Sequence, residues 1–130
     1  MRCLRYAPSS TSGAAAATTL TELTRRSNLN MRHCTVVTGT ANHTALRLLT
    51  PNSTWNVQNC IFDGAGTGLK NEGGGTLTSG KNLINMSPVS DGNATLSGNE
   101  ITATDPLFTD RTNGNFTPTS ASPALGVGTN

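Results

Sequence analysis

Two stretches of the chain match one another position by position. Leu29-Asn30-Met31-Arg32-His33-Cys34-Thr35-Val36 lies on Trp55-Asn56-Val57-Gln58-Asn59-Cys60-Ile61-Phe62, with Asn30 on Asn56 and Cys34 on Cys60. A fainter copy, Leu77 to Ile84, follows at a slightly shorter interval with Asn82 where the cysteines stood, and Arg2-Cys3-Leu4 is an upstream echo. Leu29/Met31 and Cys34/Val36 are two apart, so each pair shares one strand face. Between them Arg32-His33 breaks the alternation, and Gln58-Asn59 breaks it at the same place. A defect in common means that both copies turn the same corner. Repeat units of roughly 20–30 residues cannot bury an apolar side alone and must stack on their neighbours.

Composition agrees with such stacking. Only 34% of residues are hydrophobic and 12% charged, with a net charge of +2. Disorder usually couples low hydrophobicity with high net charge, so the chain reads as folded. Thr suits strands, while Asn and Gly suit turns. The 130 residues are one domain by length.

Charge is uneven. Residues 1–47 hold six Arg and one Glu, and residues 48–130 hold three basic residues against six acids. A solvated surface explains this, and the absence of interleaved aromatics argues against nucleic acid. Arg25, Arg26, Arg32 and Arg47 are the candidate contacts for an anionic glycan or partner. No apolar run reaches membrane-span length, and Met1–Tyr6 lacks the apolar middle of a signal peptide. Three cysteines argue against a disulfide framework; they read as rungs of an interior stack. His33, Cys34 and His43 make a poor metal set, so no metal or cofactor is expected.

Along the chain, residues 1–27 read as an incomplete first coil plus a loop or short helix, with helix or irregular structure favoured over strand at 14–26. Residues 28–98 carry the repeats. Turn signals stand at 38–42, at Pro51-Asn52, in the Gly-rich stretch 63–68 and at 73–75, with a strand at 45–49 and the third repeat at 76–84. A loop is expected at 90–93 and a strand at 94–97. Residues 99–130 read as a terminal strand and tail.

That tail resembles a known class. Ala103-Thr104-Asp105-Pro106-Leu107-Phe108-Thr109-Asp110, Asn113-Gly114-Asn115-Phe116 and Ser120-Ala121-Ser122-Pro123-Ala124-Leu125-Gly126 are similar to the closing segment of right-handed parallel β-helix proteins of the pectate-lyase-like class. Asn59–Phe62 and Lys81–Ile84 look like coil strands of that class, and Gly126 departs from it where relatives often carry an acid. The resemblance implies an all-β, right-handed parallel β-helix (a solenoid) with few coils and an irregular C-terminal capping tail. It also implies a choice among polysaccharide lyases and hydrolases, tailspikes, adhesins and non-catalytic virion proteins, which fold alone does not make.

A lyase needs acids holding a cation beside a proton-abstracting Lys or Arg. A hydrolase needs paired carboxylates across a groove. The acids here are scattered. Asp63, with Lys70 and Glu72 on the following coil side, is the best catalytic candidate, although Asp63-Gly64 also reads as plain turn chemistry. Gly64–Gly68 lacks the ending of a phosphate loop, and no Ser sits in a nucleophile elbow. Trp55 replaces Leu29 in the repeat and reads as core, the alternative being a sugar-stacking platform. The expected function is a non-catalytic structural or binding module on an extracellular or virion surface. A fragment of a polysaccharide lyase or glycoside hydrolase, or an anionic-glycan binder, are the alternatives. The open first coil predicts a homo-oligomer or larger assembly that covers it, with polysaccharide as the candidate ligand and no nucleic-acid or membrane partner.

Overall fold

The computed structural model describes the backbone of Glu22–Leu23 and all of residues 28–126. Cys3, Arg25 and Arg26 lie outside the described residues, as does most of the segment expected to be helix or irregular. The part of it that is described, Glu22–Leu23, is instead a strand, β1. Thr-rich flanks and backbone pairing prevail over the helix-forming alanines at this point.

The remaining strands are β2 (Asn28–Arg32), β3 (Thr35–Thr38), β4 (Thr44–Leu48), β5 (Thr54–Gln58), β6 (Ile61–Gly64), β7 (Thr67–Asn71), β8 (Thr76–Gly80), β9 (Leu83–Asn85), β10 (Ser90–Gly92), β11 (Ile101–Thr102), β12 (Phe108–Asp110) and β13 (Asn115–Pro118). No helix occurs among the described residues. The chain visits three sheets in turn, ordered β2-β5-β8, β3-β6-β9-β11 and β1-β4-β7-β10. Pairing within all three is parallel, and among the described residues β12 and β13 form an antiparallel hairpin, with one isolated antiparallel bridge between Gly66 and Ser87. This all-β, mostly parallel arrangement is consistent with a β-solenoid.

The repeat read from the sequence is the register of the fold. Leu29, Trp55 and Leu77 stand in one row, as do Met31, Val57 and Ser79. The shared defect is a backbone turn, with His33, Asn59 and Lys81 at φ of 53°, 55° and 53°. A left-handed residue at each of these places swings the chain from the first sheet into the second. Two residues always make this corner, 33–34, 59–60 and 81–82. The next corner takes five residues (39–43) and then two (65–66), and the third takes five (49–53) and then four (72–75).

Side chains at the second position of the two-residue corner hold it from inside. The Cys34 thiol donates to the Arg32 carbonyl at 3.3 Å and the Cys60 thiol to the Gln58 carbonyl at 3.2 Å. Asn82, in the equivalent place and fully buried, does more. It donates to the Val57 carbonyl and accepts from the Cys60 N–H, both at 2.9 Å. Buried backbone groups left unpaired are costly, so an amide here replaces a thiol without loss.

Trp55, Phe62, Leu46, Leu48 and Leu69 fill the interior. Burying side chains of this kind contributes about 1.5–3 kcal/mol each. Trp55 is core, not a sugar platform. Outside, the first sheet carries an amide and hydroxyl ladder: Asn56 donates to Asn30 at 3.2 Å, and Thr78 to Asn56 at 2.6 Å.

The second sheet is covered on both faces. Val36, Phe62 and Ile84 point inward, so their neighbours Val37, Ile61 and Leu83 point out. Yet all three are buried. Pro118, Ala124 and Leu125 of the tail line one small cleft with Ile61 and Leu83, so the tail lies along the side of this sheet. Two local expectations are corrected. The loop placed at 90–93 is largely strand β10, paired residue for residue with β7. The strand placed at 94–97 makes a single bridge, Thr95 to Thr78. Ser90-Asp91-Gly92 has no strand propensity of its own and takes its conformation from the neighbouring backbone.

Candidate functional site

Asp63 occupies the outer row of the second sheet, in register with Val37 on one side and Asn85 on the other. An outward-pointing acid would normally meet water. Asp63 instead has no exposed surface. A cleft of about 320 Å³ opens beside it, lined by Gly64, Asn85, Met86, Ser87, Ala103 and Arg111. Arg111 arrives from the turn between β12 and β13.

The chain can turn at the last residue of β6, directly after Asp63, because that residue is glycine. Gly64 has φ of 125°, and a Cβ there would stand 2.1 Å from the Thr38 carbonyl oxygen. Thr38 closes the same turn by donating to the Ala65 carbonyl at 2.5 Å.

The carboxylate is held from two sides. Asn85 Nδ2 donates to Oδ1 at 2.8 Å. Nη1 of Arg111 lies 2.8 Å from Oδ2, but outside hydrogen-bond alignment, so Oδ2 receives no hydrogen bond. Burial pushes the Asp63 carboxyl above its ordinary range, further aided by the Asp105 charge. The Asn85 hydrogen bond and the Arg111 charge oppose this without cancelling it. A buried acceptor, a neutral amide and a half-exposed guanidinium therefore share one opening. Of these the guanidinium is the group open to a ligand, to which it can donate hydrogen bonds.

Lys70 and Glu72 are not part of it. They stand on and after β7, in the third sheet, where Lys70 Nζ lies 2.8 Å from Glu72 and 2.9 Å from Asp91. Arg47 binds the same Glu72, with Nε at 2.6 Å. Arg47 and Lys70 are in register on adjacent strands, and Glu72 offsets the repulsion between them. Lys70 and Arg47 together hold the Glu72 carboxyl below its usual range. The three sequence candidates thus separate into one buried acid and one surface ion network.

Nor do the arginines gather. Arg32 is exposed at the end of β2 in the first sheet, whereas Arg47 is engaged in the third. Among the described residues no group of three or more His, Cys, Asp or Glu could hold a metal ion. Sequence reasoning misses Arg111 and Asn85. Asn85 follows Asp63 at the same interval that separates Asn59 from Lys81, so the repeat offset points to it. Arg111 is the sole basic residue after position 81, which is a weaker signal. No family model, curated protein or solved structure matches the chain.

Proposed function

We propose that the chain is a non-catalytic β-solenoid module of an extracellular or virion surface, with few coils wound in the right-handed sense of the pectate-lyase-like class. One observation carries this reading: each of the six acids with a described side chain is engaged in holding the fold. Asp63 binds Asn85 and Arg111, and Glu72 and Asp91 bind Lys70. Glu100 accepts from Ser79 and from the Ser97 and Gly98 N–H groups. Asp105 accepts from the Leu107 N–H and Asp110 from Asn113. A hydrolase turns two carboxyl groups toward its substrate, about 5–9 Å apart; these acids turn toward their own backbone and basic neighbours. Incubation with uronate polymers and neutral glycans tests the proposal. No unsaturated or newly reducing product is expected, and formation of either would replace it with the enzyme-fragment reading.

A second reading, glycan binding, is favoured by the cleft rather than by the arginines. The Arg111 guanidinium is half exposed there, beside Asn85 and Ser87, and can donate to a sugar oxygen. Titration with oligosaccharides should then shift the Asn85 amide resonances, and Arg111→Ala should remove the response. The expected partner assembly would pair along β2 and β3, which stand at the ends of their sheets among the described residues, since sheet ends are where another strand adds. Concentration-dependent sedimentation is the matching measurement.

A further inference from the structure

The C-terminal hairpin is bonded to itself more than to the solenoid. Phe108 and Phe116 meet edge to face, with centroids 5.4 Å apart at 72°. Thr109 donates to the Thr117 carbonyl at 2.9 Å, Asn113 caps Asp110 at 2.7 Å, and the Thr119 N–H donates to the Leu107 carbonyl at 2.9 Å. Ser122 ties the last segment back through a 2.6 Å bond to the Pro106 carbonyl. Residues 106–126 therefore form one unit.

That unit seats on the solenoid through side chains. Arg111 meets Asp63, and Pro118, Ala124 and Leu125 line one cleft with Ile61 and Leu83. The last described backbone bond into the parallel ladder is the Ala103 N–H to the Ile84 carbonyl at 3.2 Å. Ala103 itself has φ of 52°, a left-handed conformation disfavoured for any residue with a Cβ. It begins a hinge, 103–105, whose last member is biased toward extended backbone by Pro106. A self-contained unit, a seat made of side chains and a short strained hinge are the conditions under which an element exchanges between copies. Moreover, among the described residues the exposed large hydrophobics, Leu107 and Leu125, belong to this unit.

We infer that the outer face of the second sheet, with Asp63, Ile61 and Leu83, accepts the 106–126 unit of a second copy of this chain in place of its own. In the exchanged dimer each Arg111 meets the other copy's Asp63, the hinge runs extended, and the strain at Ala103 is released. The seat is complementary to this occupant because it already holds the identical segment.

Single substitutions at the hinge test this with opposite expected signs. The full chain is concentrated, warmed, returned to low temperature and sized by light scattering on a gel-filtration column. Wild type should yield a dimer that persists on dilution. Ala103→Gly, which adopts positive φ freely, should fold normally and reduce the dimer fraction several-fold. Ala103→Val keeps the N–H bond to Ile84 but disfavours positive φ because it is β-branched, and should raise it. Mixed isotope-labelled and unlabelled copies should show the contact between Asp63 and Arg111 crossing chains. A monomer under every condition, an equal dimer fraction in wild type and Ala103→Gly, or an Asp63–Arg111 contact confined within chains would each overturn the inference.

Discussion

Arg111 Nη1 stands 2.8 Å from Asp63 Oδ2, so the tip of the tail hairpin reaches a carboxylate that has no exposed surface. The two residues are far apart in the chain. Their contact joins the two parts of the molecule, tail and solenoid, at a point where neither could be moved alone without cost.

Arg111→Ala leaves that carboxylate buried without its counter-charge. Removing one member of a buried pair is strongly destabilising, but Arg111 is itself half in solvent. We expect a loss of about 1–3 kcal/mol. Asp63→Asn, which removes the buried charge as well, should cost less. Urea midpoints report both, and an unchanged midpoint for Arg111→Ala would deny the pair any role in stability.

Acidification should act in two opposite steps. The Asp63 carboxyl is raised by burial, so the native state takes up its proton before the unfolded chain does. Stability therefore grows as pH falls through the window above the ordinary carboxylate range. Glu72 and Asp91 are lowered by Lys70, Asp110 by Asn113. Burial opposes the charge of Glu100, but bonds from Ser79 and Ser97 outweigh it and lower this group too. Their contribution is lost as pH falls through and below that range. Urea titrations from about pH 8 to about pH 3 should show a maximum between the two windows. Asp63→Asn should flatten the upper limb and leave the lower one in place.

Asn82→Ala removes the partner of two buried backbone groups, the Cys60 N–H and the Val57 carbonyl. Each unsatisfied group costs about 1–3 kcal/mol, so we expect a loss of about 2–6 kcal/mol. A denaturation curve superimposable on that of wild type would show that the corner finds other partners.

Gly64→Ala and Gly74→Ala separate crowding from backbone conformation. Both glycines have positive φ, but a Cβ at Gly64 collides with the Thr38 carbonyl, while one at Gly74 meets nothing within 4 Å. Gly74→Ala should cost about 1–2 kcal/mol, and Gly64→Ala should prevent folding under ambient conditions. Equal melting temperatures for the two variants would contradict this account of the turn after Asp63.

What the sequence reveals is what recurs. The rows through Trp55 and Val57 and the break at Arg32-His33 and Gln58-Asn59 are spaced by the repeat itself, so the chain alone discloses them. The tail's place on the solenoid stays hidden. Val36-Val37, Ile61-Phe62 and Leu83-Ile84 each look like one apolar patch, although alternate members serve opposite faces of a sheet. Strand β10 is equally hidden because register, not residue preference, makes it a strand. Lys70 and Glu72 seem near Asp63 because closeness along a chain suggests closeness in space. A corner intervenes at 65–66 and sends them to another side.

The two-residue bend that recurs at 33–34, 59–60 and 81–82 has a bearing on how chains of this kind can diverge. One residue added there would reverse which side chains of the following strand face the interior. The segments 39–43 and 65–66 already differ in length while joining the same pair of sheets. Novelty, whether introduced by evolution or by design, can therefore be written at that edge, with the other edge serving as the fixed spine.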